Sequence, residues 1–392
     1  MKIVIAPDSF KESLSALEAA RAIEAGFREV FPDAEYVKVP VADGGEGTAE
    51  TLVEATGGTI VRLSVTGPLG APVEAFFGLS GDGELAVIEA ATANGLMLVP
   101  RERRDPRVTT TYGVGELIRA ALDRGARHLI VGIGGSATND GGAGMLQALG
   151  VKLADARGRD LGFGGAALAE IAAIDVSGLD PRLRDCRVEV ACDVDNPLCG
   201  PKGASAIFGP QKGATPEMVK DLDANLARFA ALIGKTLGVA VGETPGAGAA
   251  GGLGAALLGF LGADLRPGVD IVTAAVGLAD AVRDADLVIT GEGRIDGQTA
   301  HGKTPIGVAR VAKRFGKPVI GIAGCLTDEA GEVHAHGIEA IFSILYRCCT
   351  VPEALAEGEQ NLRLAARNVA ATLALGRMLT NVGAATLTAV PA

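Results

Sequence analysis

The feature that most constrains this chain is a repeated grammar. An apolar run of strand length leads into a glycine-rich polar loop, and the loop leads into a helix start. Glycine makes up 56 of 392 residues, about twice its usual share. There is no G-X-Y period, so the chain is not collagenous. The glycines cluster in short loops, where backbone can approach a ligand closely. Strands alternating with helices imply parallel sheets covered by helices. In such sheets ligands bind outside the carboxyl ends of the strands.

Along the chain, Lys2–Pro7 reads as a strand and Leu14–Phe31 as an amphipathic helix. Glu35–Val41 is a strand, Thr48–Ala55 a helix and Thr59–Val65 a strand of the same parallel run. The segment 67–110 carries turn signals and reads as mixed or antiparallel. Helix Val114–Arg124, strand His128–Gly132, helix Gly144–Leu149 and strands Val151–Ala154 and Arg187–Cys192 follow. Pro216–Lys235 is a helix capped by Thr215 with proline in its first turn. Strand Leu287–Thr290, helix Thr304–Phe315, strands Pro318–Ala323 and Ala340–Ile344, and a helix from Glu359 to Met378 close the chain. The last dozen residues are expected to fray. The fold class expected is α/β with two α/β domains. Residues 1–66 and 280–392 build a Rossmann-like parallel sheet from both chain ends, and residues 67–279 form an inserted glycine-rich α/β domain.

The formal net charge of −11 argues against a nucleic-acid partner. Tryptophan is absent and there are three tyrosines, which disfavours aromatic stacking platforms. None of the six cysteines lies in the first 185 residues and no C-x-x-C occurs, so reduced thiols and a cytoplasmic setting are expected. The run Thr244–Ala263 is free of charge but rich in glycine. It reads as a loop feeding a buried helix rather than as a membrane span.

Five loops hold the candidate chemistry. Asp8, Ser9 and Lys11 follow the first strand. Val41-Ala42-Asp43-Gly44-Gly45-Glu46-Gly47 exposes backbone N–H groups, but its carboxylates suit Mg²⁺ or a general base better than phosphate. The loop Gly132–Gly144 has the make-up of a phosphate cradle, with Gly134, Gly135, Ser136, Thr138 and Asn139 as donors and Asp140 as a metal candidate. It lacks a Walker pattern. It also satisfies G-x-G-x-x-A with Asp155 further on, a weak dinucleotide match in so glycine-rich a chain. Asp193, Asp195 and Asn196 stand at a strand end, as a metal or base candidate set. Last, Gly291–Pro305 combines Glu292 and Asp296 as metal or proton carriers with Arg294 and Lys303 as anion clamps; His301 is read as an accessory.

Taken together, APDSFKESLSA, VADGGEGT, GGSATNDGGAG, CDVDNPLCGP, FGPQKG, GAGAAGGLG and GEGRIDGQTAHGKTP resemble the motifs of the bacterial glycerate kinase family. They span positions 6 to 305. The resemblance implies an enzyme that moves a phosphoryl group from ATP to a hydroxyl of D-glycerate with Mg²⁺, and two α/β domains with a cleft between them. Because a phosphoryl donor must be shielded from water, a hinge between the domains is expected. The bacterial branch mostly forms 2-phosphoglycerate, which implies attack by the C2 hydroxyl, with the C3 product as the alternative. A nucleotide- or anion-binding protein without turnover is the reading from another class. Phosphoryl transfer is mostly positioning and charge neutralisation. The expected roles follow. Gly134, Gly135, Ser136, Thr138 and Asn139 hold phosphates, and Asp193 and Asp296 serve as base or metal ligand. Lys11, Arg294 and Lys303 supply charge, and Asp43, Asp140 and Glu292 face metal. Oligomeric state is not legible.

Overall fold

The computed structural model describes residues 1–387. The chain divides into two compact α/β units. The first comprises Met1–Asp43 and the chain from Val272 on; the second is Gly44–Ile271.

Unit one is built on a five-stranded parallel sheet. Its order is Ala340–Ser343, Val319–Ala323, Leu287–Thr290, Lys2–Ile5, Glu35–Lys38. In chain order this is the doubly wound 2-1-3-4-5 arrangement, whose order reverses between the Lys2–Ile5 and Leu287–Thr290 strands. Ile3, Val4 and Ile5 are fully buried, as a strand covered on both faces requires. The first helix is Ala16–Arg28. Ser15 accepts from the Glu18 N–H and Glu18 accepts from the Ser15 N–H, a reciprocal capping box. The helix therefore starts two residues later than the expected Leu14, and the Ser13 hydroxyl before it donates to Leu355 O at 2.7 Å. Ile23 and Phe27 of this helix share a core with Leu362, Ala366 and Val369 of the final helix. A Cβ on Gly26 would lie 2.3 Å from Arg363 O, so glycine lets the two helices meet. That final helix runs Gly358–Leu387, past the expected end at Met378. Of the dozen residues expected to fray, 381–387 are helical, and 388–392 lie outside the described residues.

Unit two has a six-stranded sheet of order Asp264–Arg266, Arg187–Ala191, His128–Gly132, Leu85–Glu89, Pro72–Leu79, Thr59–Thr66. The first four strands are parallel and the last two antiparallel. Thr59–Thr66 was expected to extend the N-terminal parallel run. Instead it forms a hairpin with Pro72–Leu79, closed by Gly67 N–H donating to Ala71 O at 2.7 Å. A connection that short cannot carry a crossover, so the pairing must be antiparallel. Lys152–Asp155 likewise pairs antiparallel with Ile171–Asp175 in a separate ribbon.

The charge-free segment forms the buried helix Ala249–Leu261, kinked where Ala250, Gly251 and Gly252 take left-handed φ values of 52°, 69° and 89°. Among the described residues no helix is long and apolar enough to cross a membrane. The kink lets this helix touch the glycine loop: Gly141 N–H donates to Gly251 O at 3.0 Å. A Cβ on Gly251 would fall 2.0 Å from Thr138 O.

Gly251→Ala combines backbone strain with that overlap, and is expected to cost at least about 3 kcal/mol. Gly238→Ala has a similar φ of 72° and nothing within 4 Å; it is expected to cost about 1 kcal/mol. Equal melting temperatures for the two variants would contradict this packing.

Candidate active site

In unit one, three strand ends meet at the point where strand order reverses. The Asp8 N–H donates to Gly291 O at 2.8 Å, and the Gly324 and Cys325 N–H groups donate to Glu292 O and Gly293 O at 3.1 Å each. A Cβ on Gly291 would sit 1.9 Å from Ile322 O, so only glycine permits this approach. Asp8 and Glu292 occupy the reversal point. The Thr304 hydroxyl donates to Asp8, and the Thr299 hydroxyl donates to Glu292 at 2.6 Å. Burial pushes Asp8 up to about 6, opposed by Thr304 and reinforced by the charge of Asp43. Burial likewise pushes Glu292 up to about 7, with Thr299 and Lys303 opposing and Asp8 and Asp296 adding repulsion. Asp296 behaves in the opposite way. Burial works against its charge, but Lys303, the Gln298 N–H and Arg294 outweigh it and hold the carboxyl below the usual range. Arg294 grips Asp296 at 2.9 Å through two nitrogens.

In unit two, the Gly132–Gly144 loop leaves the His128–Gly132 strand and enters the helix Ala143–Ala148. Gly134 and Gly135 are exposed, whereas Ser136 to Asp140 are buried. The two glycines line a cavity of about 610 Å³ with Gly47, Phe76, Glu89 and Met97. Glu89 accepts from the N–H groups of Gly47 and Ala49 at 3.1 and 2.9 Å, at the start of the helix Thr48–Thr56. Burial raises its carboxyl to about 7 against those two donors, and Glu50 and Glu46 add repulsion.

Several sequence expectations change meaning here. Asp140, a metal candidate, is fully buried and accepts from Thr111 N–H and hydroxyl, Gly142 N–H and Gly144 N–H at 2.9, 2.9, 3.1 and 3.2 Å. Its oxygens organise the loop instead of facing a cation. Thr138 and Asn139, expected to donate to phosphate, are also fully buried. Asn94 donates to the Thr138 hydroxyl at 3.2 Å, and Asn139 donates to Ser205 at 3.0 Å. Asp155, the acid of the dinucleotide match, is taken up by a local turn with Arg157 and Arg159. Asp193 is exposed and accepts from Gly268 N–H at 3.2 Å, at the start of the helix Gly268–Ala275. Unit one holds Lys11, Asp43, Glu292, Arg294, Asp296 and Lys303, and unit two holds the glycine loop and Asp193. The helix expected from Thr304 does begin there. The cap is Lys303, and Thr304 serves Asp8. Glu89 lies outside the five loops, and Lys212 stands within FGPQKG without an expected role. Both are charged residues at the end of apolar or glycine-rich text, and that was the available signal.

The whole chain has known relatives. Residues 3–374 match the glycerate kinase family. The chain is 62% identical over 376 residues to a protein named glycerate 2-kinase from Escherichia coli K12, covering 96% of this chain and 99% of that one. A glycerate kinase of Bacillus subtilis strain 168 is 60% identical over 379 residues, covering 97% and 99%. A crystal structure assigned to glycerate kinase 2 of Salmonella typhimurium LT2 superposes with a TM-score of 0.90 at 62% identity, covering 96% of this chain and 99% of that one. This chain belongs to the glycerate kinase family.

The raised carboxyls predict a pH dependence of stability. Asp8 and Glu292 keep their protons to higher pH in the folded chain than their usual values of 3.8 and 4.5 allow in the unfolded one. The folded state therefore loses stability as pH rises from about 4 through about 7, and loses no more from these groups above that. In chelator, Glu292→Gln should melt close to the wild type near pH 4.5 and above it near pH 8. A melting difference that is the same at both pH values would contradict the assignment.

Proposed function

We infer that this chain transfers the terminal phosphoryl group of ATP to the C2 hydroxyl of D-glycerate and releases 2-phosphoglycerate and ADP. The observation that carries this reading is the 62% identity, over nearly both full lengths, to a relative named glycerate 2-kinase. The two units offer what such a transfer demands: a backbone cradle for phosphates, ionised carboxylates and cations.

In unit two, the exposed Gly134 and Gly135 and the adjacent Ser136 hydroxyl are the proposed phosphate donors. The neighbouring cavity of about 610 Å³ is the proposed seat of the nucleoside. Thr138 and Asn139 act by holding this loop. In unit one, Asp296 is the proposed base. It is held ionised, so it can accept the C2 hydroxyl proton as that oxygen attacks the terminal phosphorus and the bond to ADP breaks. Arg294 orients Asp296, and Lys11 and Lys303 are proposed to neutralise the carboxylate of glycerate and the transferring charge. Asp193 is the proposed second carboxylate for the base or metal role.

Among the described residues no three His, Cys, Asp or Glu side chains converge as a metal cage. Mg²⁺ needs none, since it takes one or two carboxylates and completes its shell with phosphate oxygens and water. Asp43, Asp8 and Glu292 fit that demand. Their donors are oxygens, and their mutual repulsion and burial favour a nearby cation. When bound, Mg²⁺ would offset the negative charge of the phosphates.

Asp296→Asn should lower kcat by about three powers of ten with the melting temperature kept, as loss of a positioned base does. Wild-type turnover would remove Asp296 from that role. Regiochemistry is read separately, by adding enolase to the reaction with no mutase present. Phosphoenolpyruvate should form directly. If it forms only after a mutase is added, the product is 3-phosphoglycerate.

A further inference from the structure

The FGPQKG segment has no part in the mechanism above, yet it carries an unusual residue. Among the described residues, Lys212 is the one lysine or arginine in the interior, 2% exposed. An ammonium taken out of water is costly unless its protons are matched. Lys212 Nζ donates to Ser136 Oγ at 2.9 Å and to Thr138 O at 2.7 Å, and neither partner is a carboxylate. The backbone that delivers it is fixed. Pro210–Lys212 is a 3-10 turn, and Gly213 follows at φ 95°, where a Cβ would strike Arg104 O at 2.1 Å. A buried cation is thus pinned beneath the glycine loop and points at its backbone and its serine.

We propose that Lys212 is a positioning residue for phosphate binding. An ammonium has donors and no acceptor, so Ser136 Oγ must accept from it. The hydroxyl's own proton is then turned away from Nζ and is available to a phosphate oxygen. Through Thr138 O the same ammonium holds the loop at the point where the chain dives into the core. Phosphate charge on the loop in turn favours the ammonium form. Burial lowers the Lys212 ammonium to about 7, the nearby Asp140 carboxylate offsetting only part of that, so charge on a bound phosphate is what completes the cation. This inference rests on the reading of Gly134–Ser136 as the phosphate cradle.

Steady-state kinetics on the full chain with ATP and glycerate test it, using Lys212→Met, Lys212→Gln, Ser136→Ala and the double variant Lys212→Met/Ser136→Ala. Hydrogen bonds to charged groups are worth enough that losing one shifts binding by about tenfold or more. Lys212→Met and Ser136→Ala should each raise the KM for ATP by about tenfold and leave that for glycerate unchanged. The double variant should be no worse than the poorer single one, because the loss at Ser136 is contained in the loss at Lys212. Lys212→Gln keeps an N–H donor, and should recover part of the loss. A folded Lys212→Met or Lys212→Gln with wild-type KM for ATP, while Ser136→Ala is impaired, overturns the inference alone. Losses that multiply in the double variant also overturn it. Wild-type KM for ATP in Ser136→Ala overturns the phosphate reading of the loop and this inference with it.

Discussion

Everything placed on the glycine loop of unit two depends on one buried carboxylate. Asp140 is fully enclosed, and an ionised group there is tolerable because four donors converge on it. Burial still raises its proton affinity, with the hydrogen bonds from Thr111, Gly144 and Gly142 acting the other way. Those donors are Thr111, the N-cap of the helix Tyr112–Asp123, with Gly142, the N-cap of Ala143–Ala148, and Gly144 in its first turn. The carboxylate thereby ties two helix starts to one loop. With its lower half locked by Asp140, Asn94, Ser205 and Lys212, the loop leaves only Gly134 and Gly135 open, at the mouth of a cavity.

Unit one handles charge by a different device. Its carboxylates lie where strand order reverses, a place that a doubly wound sheet leaves open whatever the sequence. Asp8 and Glu292 are raised there by burial, while Asp296, a few residues away, is held ionised by Lys303, Gln298 and Arg294. Carboxyls so close in sequence thus differ in proton affinity because their neighbours differ. Such a separation is what acid–base chemistry at one site requires.

Much of the fold was legible because strand-length apolar runs and capped helices are local signals. The helix Pro216–Leu237 opens at Thr215 as expected, and the parallel sheet of unit one uses both chain ends. The hairpin at Thr59–Leu79 differs from the expectation because its pairing is set by the five-residue connection 67–71, while its apolar pattern fits either sheet. In the site, composition pointed to the right loops and could not say which way side chains turn. Asp140, Thr138 and Asn139 read as ligand-facing because polar residues in glycine loops usually are. Burial by the kinked helix and by the Pro210–Lys212 turn, both distant in sequence, reverses that. Glu89, and the role of Lys212 within FGPQKG, are hidden for the same reason, since each stands out only once its burial is known.

The central claim is that the loop is a preformed cradle, rigid below and open above. Hydrogen–deuterium exchange across overlapping peptides of residues 129–146, with and without ATP, tests it most directly. The account predicts that amides from Asn139 to Gly144 exchange slowly even without nucleotide, and that ATP adds protection at Gly134 to Ser136. Fast exchange throughout the loop without ATP, or ATP-induced protection that bypasses Gly134 to Ser136, would contradict it.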